Sequence, residues 1–161
     1  QPKKCRVGNA GNLMTIRPAI ESDVPHVARL VKSLAHYYLD DSSGELPKWL
    51  NDTLTFEAFS SRISGPDNLN FVYEESGIIV GYISVKEIGH LYHLFVADGF
   101  QGNGISRLLW EHAREHCHCN SFTLRSSLHA VPVYKRFGFM ESGPVGTKDG
   151  VSFQPMELHG E

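Results

Sequence analysis

HLYHLFVADGFQGNGISR, residues 90–107, decides how this chain reads. Residues 90–96 are rich in apolar and aromatic side chains and make a strand, a short polar turn follows, and the glycine-spaced residues 101–106 open an amphipathic helix. A helix that begins with bare backbone N–H groups and little side-chain bulk is an anion site, because its unpaired donors and its dipole both favour negative charge. The stretch therefore predicts a ligand that carries phosphate. It is not a Walker loop, since no Lys-Ser or Lys-Thr pair follows the glycines.

Beyond this stretch, Ile105, Leu108, Leu109, His112, Ala113 and Cys117 fall on one face of a helix that starts at Gly104 and ends near Asn120. Residues 121–126 read as a strand, and strand, helix, strand implies a right-handed parallel crossover. Ala130, Val133, Tyr134 and Phe137 form the apolar face of a short last helix with Pro132 in its first turn and Gly138 at C′. Residues 139–141 and 151–158 then close an antiparallel pair across a loop containing Asp149-Gly150. Towards the N-terminus, residues 70–75 and 78–88 are β-type runs joined at Ser76-Gly77. Residues 14–17 are a strand, Ser22 can cap a helix carrying Val24, Val27, Ala28, Val31, Leu34, Ala35 and Tyr38, and Phe56, Phe59 and Ile63 suggest a second helix after a polar segment.

A length of 161 residues fits one domain, and 41% apolar with 20% charged residues is ordinary globular usage, which suggests neither disorder nor a coiled coil. The formal charge of −3, without a basic stripe, argues against nucleic acid. No stretch approaches the roughly 20 apolar residues that span a bilayer. Cys5, Cys117 and Cys119 are too few and too badly spaced for a disulfide framework, which predicts a reducing, cytoplasmic setting. Gln1 is no initiator and Met14 stands directly before the first strand, so residues 1–13 read as an N-terminal extension or expression remnant ahead of a single domain over residues 14–159.

The predicted order, β-α-α-β-β-β-α-β-α-β-β, is an α/β chain with a mixed sheet and helices on its faces. On that order, residues 14–158 resemble the GNAT superfamily of acyl-CoA-dependent N-acyltransferases. The family's acyl-CoA signature corresponds to Gln101, Gly102, Asn103, Gly104, Ile105 and Ser106; Ser106 departs from its usual glycine or alanine but is small enough to keep the approach open. A second signature corresponds to Ser127, Ala130, Tyr134, Gly138 and Phe139, with Ser127 where many members have asparagine, and Phe153-Gln154-Pro155-Met156 looks like the last strand of one branch. The resemblance implies an N-acetyltransferase domain with a splayed parallel strand pair, acetyl-CoA as co-substrate, no metal, the primary amine of a small molecule or peptide as acceptor, direct attack in a ternary complex, and dimerisation through sheet edges or terminal strands. From another class, a non-catalytic acyl-CoA-binding sensor or assembly subunit is the alternative.

Acyl transfer from a thioester to an amine sets four demands. Backbone N–H groups from Gly102 to Arg107 suit the pyrophosphate, with the Arg107 charge at the rim. The resemblance implies that Leu94, Phe95 and Val96 pair with pantetheine through their backbone and that one N–H there polarises the thioester carbonyl. The amine arrives largely protonated, with a pKa near 10.4, so a base or water chain must drain its proton. Strand alternation puts His90, Tyr92, Leu94 and Val96 on one face and His93 on the other. His90 stands where family members place a glutamate or histidine base, and Tyr92 is a partner that orients water or substrate. Tyr134 matches the family's general acid, a phenol protonated at neutral pH. No cysteine lies in the predicted thioester site, which disfavours a covalent intermediate. His112, His116, Cys117, His118 and Cys119 have some ligand-like spacing but sit on a helix end running into a strand, and no metal is expected. Asp40, Asp41, Glu45 and Asp52, with Tyr37, Tyr38 and Trp49, would suit a cationic amine.

Overall fold

The computed structural model describes residues 3–5 and 13–160. Among them, nine strands form one sheet: β1 (Lys3–Cys5), β2 (Met14–Pro18), β3 (Asn68–Glu75), β4 (Ile78–Lys86), β5 (His90–Val96), β6 (Ser121–Ser127), β7 (Met140–Glu141), β8 (Gly146–Lys148) and β9 (Val151–His159). The spatial order is β1-β2-β3-β4-β5-β6-β9-β7, with β8 also on β9, and every pairing is antiparallel except β5–β6. The expected mixed sheet is therefore present. Lys3–Cys5, inside the segment read as an extension, adds an edge strand against Met14–Ile16.

Helices cover both faces. α1 (Val24–Leu34) and α3 (Phe56–Ser64) bury Val27, Ala28, Val31, Leu34 and Phe59 against Val72 and Tyr82. Enclosing a valine such as Val27 or Val31 is worth about 1.5–3 kcal/mol relative to exposing it. On the opposite face α4 (Ile105–His116) and α5 (Val131–Arg136) pack Ile105, Leu109, Trp110, Ala113 and Tyr134 onto Ile83, Leu91, Phe122 and Leu124. Among the described residues no helix is long and apolar enough to cross a membrane.

The departures from the expected elements are short or long-range. α2 (Lys48–Asn51) and a 3₁₀ turn at Asp52–Leu54 interrupt the polar segment, burying Leu50 and Leu54; one turn is too short to show periodicity. Ser22 does not cap α1. It lies in a 3₁₀ turn, and the Asp23 carboxylate takes the Ile20 N–H at 2.8 Å. β8 joins β9 through Asp149 and Gly150, both at positive φ, so β9 holds β8 at one end and β7 at the other.

Candidate active site

Two rungs hold β5 to β6, His90 opposite Thr123 and Leu91 opposite Leu124, and beyond them the strands part. β5 stays paired with β4 as far as Val96. Because the Ala97 N–H meets the Val80 carbonyl, ladder alternation turns the N–H and C=O of Leu94 and Val96 away from β4 and into the gap. Gln101 Nε2 donates to the Val96 carbonyl at 3.0 Å, tying the following loop to the strand. The Leu94 N–H is then a donor aimed into the gap.

A cavity of about 510 Å³ runs through the opening, lined by Leu94, Phe95, Val96, Gln101, Gly102, Gly104, Ile105, Ser106, Arg107, Ser127 and Tyr134. Asn103, His90 and Tyr92 do not line it. At its glycine end, Gly102 (φ +83°) and Gly104 (φ +78°) take left-handed conformations, and a Cβ at either would meet nothing within 4 Å. The glycines serve backbone conformation rather than close packing. Gly104 caps α4 without a side-chain hydrogen bond, which leaves the first-turn N–H groups facing outward. Arg107 Nη2 donates to the Arg136 carbonyl at 3.1 Å and its guanidinium lies 5.1 Å from the Phe137 ring, so the start of α4 is joined to the end of α5.

Tyr134 stands at the other end. Gly138 (φ +99°) closes α5 with the Gly138 N–H on the Lys135 carbonyl and the Phe139 N–H on the Tyr134 carbonyl, a Schellman cap. The rings of Phe137 and Phe139 meet Tyr134 edge-on, and burial pushes its phenol pKa up, so it stays protonated. Ser127 Oγ accepts the Ala130 N–H at 3.2 Å and caps the turn ahead of α5. The phenol of Tyr38 is likewise pushed up, by burial and then by Tyr134 and Tyr92, against an opposing effect of Arg62.

The expected alternation along β5 fails at one point. Ser84 pairs with His93 but Val85 pairs with Leu91, so Tyr92 is a bulge without a β4 partner. Tyr92 and His93 both turn towards α3, where Arg62 lies 5.0 Å from the Tyr92 ring and 3.0 Å from His93 Nε2, while Leu91, Leu94 and Val96 pack on the α4 side. Arg62 can only donate, so His93 Nε2 accepts and the ring proton sits on Nδ1, a buried atom without a partner among the described residues. Burial, then Arg62 and Lys86, hold its pKa well below the usual range, and His93 is neutral. His90 is half-buried with Nδ1 2.9 Å from Thr123 Oγ1; burial, then Lys86 and Arg125, lower its pKa.

Tyr37 bridges the mouth: its hydroxyl donates to Asp98 Oδ1 at 2.7 Å and its ring stacks on His129, 4.3 Å away. His129, Arg136 and Leu34 also line the cavity and had no signal in the sequence beyond their helices. Asp40, Asp41, Glu45, Trp49 and Asp52 do not line it; Ser43 engages Asp41, Lys48 pairs with Asp52 at 2.7 Å, and Trp49 Nε1 donates to Asp149. His116 Nδ1 binds the His112 carbonyl and both rings pack on Phe71, while Cys119 Sγ meets the Glu87 carbonyl.

Residues 38–159 match the family model described as Acetyltransferase (GNAT) domain. No curated protein sequence matches the chain. Among solved structures, the fold is similar to the PaiA N-acetyltransferase of Thermoplasma acidophilum in complex with coenzyme A, at a TM-score of 0.72 and 17% identity over 91% of this chain and 98% of that one. It is also similar to the spermidine N-acetyltransferase of Vibrio cholerae in complex with CoA and spermine (TM-score 0.64, 17% identity, 91% and 95% covered). A GNAT-family acetyltransferase of Staphylococcus aureus has a TM-score of 0.73 at 14% identity, with 91% and 98% covered.

Proposed function

The chain belongs to the GNAT acetyltransferase family and is an acyltransferase, and from that premise we propose that it transfers the acetyl group of acetyl-CoA to a primary amine by direct attack in a ternary complex. The observation that carries this reading is the parted β5–β6 pair, whose free backbone borders a cavity running from the glycine loop to Tyr134. CoA supplies an activated acyl group and a thiolate leaving group.

In this reading the first-turn N–H groups of α4 and Arg107 hold the pyrophosphate, with Asn103 carried in the same loop. Leu94 and Val96 pair with pantetheine as a neighbouring strand would, and the Leu94 N–H polarises the thioester carbonyl. Tyr134 passes its proton to the departing sulfur; the thiolate shares the low-dielectric cavity and is raised in pKa with it. His90 drains the amine proton through water, since it lies outside the cavity lining, and Tyr92 orients that path. Free Cys117 and Cys119 suit a reducing cytoplasm, and among the described residues no cysteine lines the cavity. Initial rates at varied acetyl-CoA and amine should intersect in double-reciprocal plots; parallel lines would contradict direct transfer.

Gly104→Val is expected to raise the KM for acetyl-CoA about 10-fold, because a side chain at that left-handed φ costs about 1–2 kcal/mol and shifts the N–H groups. An unchanged KM would remove the loop from cofactor binding. His90 is the base in its neutral form, and its pKa is lowered. Protonation as pH falls through that value, below the usual 6.5, should give kcat/KM a steeper acidic limb that His90→Gln lacks. Identical pH profiles would exclude the role.

A further inference from the structure

The acceptor side of the parted strands has a charge character of its own. Lys86 faces His90 across a rung of β4 and β5, and His90 faces Thr123 on β6. Phe122 and Leu124 are buried on the α4 side, so Thr123 and Arg125 lie on the same face as His90, and Arg125 is the first residue there beyond the last β5–β6 rung. From α3, Arg62 reaches Tyr92, whose ring also has the Lys86 ammonium 4.7 Å away.

No ion pair joins Arg62, Lys86 or Arg125 to a carboxylate among the described residues. Arg62 is half-buried, yet its partners are neutral: His93 Nε2, the Thr53 carbonyl and the rings of Phe59 and Tyr92. The nearest acid in the same cross-strand row, Glu157 opposite Thr123, is held by His159 Nε2 at 3.1 Å. Arg62, which holds His93 Nε2 at 3.0 Å, lies one ring from the cavity, since the His93 and Phe95 rings are 5.6 Å apart and Phe95 is part of the lining. Like charges gathered in a partly desolvated place repel one another, and an anion placed among them relieves that repulsion while a second cation adds to it.

We infer that the amine acceptor carries an anionic group, carboxylate or phosphate, seated among Arg62, Lys86 and Arg125 while its amine faces the thioester. This rests on the acetyl-transfer reading and narrows its acceptor. Neither the basic cluster nor the carboxylates of residues 40–52, which suited a cationic amine, line the cavity, but the cluster flanks His90 and Tyr92 on β5 and those carboxylates do not.

The test uses amine pairs that differ only in the anion: each common α-amino acid against its α-carboxamide, and phosphoethanolamine against ethanolamine, with spermidine as the cationic control. Thiol release and calorimetric binding to the CoA-loaded protein are both read. The anionic member should be favoured about 10-fold or more, the worth of one charge-assisted hydrogen bond, and the favoured pair shows whether the anion is carboxylate or phosphate. Arg125→Glu and Lys86→Gln should erase that preference mainly through KM, and Arg125 is exposed enough for its variant to fold. Equal or better use of the neutral or cationic member, a preference that survives both variants, or no binding by any anionic amine would overturn the inference. Failure of acetyl transfer itself looks different: no thiol release with any amine, while the binding preference still decides the anion.

Discussion

Tyr134→Phe is expected to lower kcat for acetyl-CoA-dependent thiol release by about 100-fold or more, the usual worth of a positioned general acid. Acetyl-CoA affinity should stay within about twofold, because the variant removes one hydroxyl that acts only once the carbon–sulfur bond is breaking. The ring would keep its place: the Schellman cap at Gly138 and the edges of Phe137 and Phe139 hold it through backbone and apolar contacts alone. Burial keeps the phenol protonated, so the loss should be the same across neutral and mildly alkaline pH. Equal turnover by the two proteins would remove Tyr134 from the chemistry.

The second large effect is on folding. The Arg17 guanidinium meets Asp23 Oδ2 at 2.7 Å and Oδ1 at 2.8 Å, and Glu74 Oε1 at 2.9 Å, clamping the end of β2 to the start of α1 and to β3. Burial alone would raise the Asp23 carboxyl, but Arg17 and the Ile20 N–H outweigh it and hold the pKa below the ordinary 3.8. A carboxyl lowered on folding stabilises fully above its unfolded pKa and loses that contribution as pH falls through the folded value. Asp23→Asn should therefore cost about 3 kcal/mol at neutral pH, the low end for breaking a buried pair, because Arg17 keeps Glu74. The variant should also lose less stability than the parent between neutral pH and acid below about pH 4. Denaturant unfolding at both pH values checks this; equal stability at neutral pH would mean that the clamp adds nothing. α1 carries Leu34 and leads into Tyr37 and Tyr38, so the clamp also steadies one wall of the cavity.

The backbone of the candidate site was legible where its signals are local. Residues 90–96 form β5 with the bounds that their composition indicated. The glycines at 102 and 104 take left-handed backbone ahead of the helix, a conformation that a residue without a Cβ adopts without strain, and Gly138 does the same after Tyr134. The parting of β5 from β6 was implied only by family resemblance, since nothing within either strand announces where its partner leaves.

What was not legible depends on partners far along the chain. The Tyr92 bulge exists because β4 slips against β5 between Ser84 and Val85, and that slip turns Tyr92 and His93 together towards Arg62. Alternation within β5 could not show it. The stack of Tyr37 on His129 likewise joins segments that only the fold brings together. α2 and β8, at four and three residues, are too short to carry a period.

In the proposed reaction, acetyl-CoA held along β5 delivers its acyl group to an amine. Thiol release from acetyl-CoA, followed with the purified protein against a panel of primary amines, tests it most directly. Release is expected to depend on both protein and amine for at least one panel member. Thermal stabilisation by acetyl-CoA with no release for any amine would contradict it and favour a non-catalytic acyl-CoA binder.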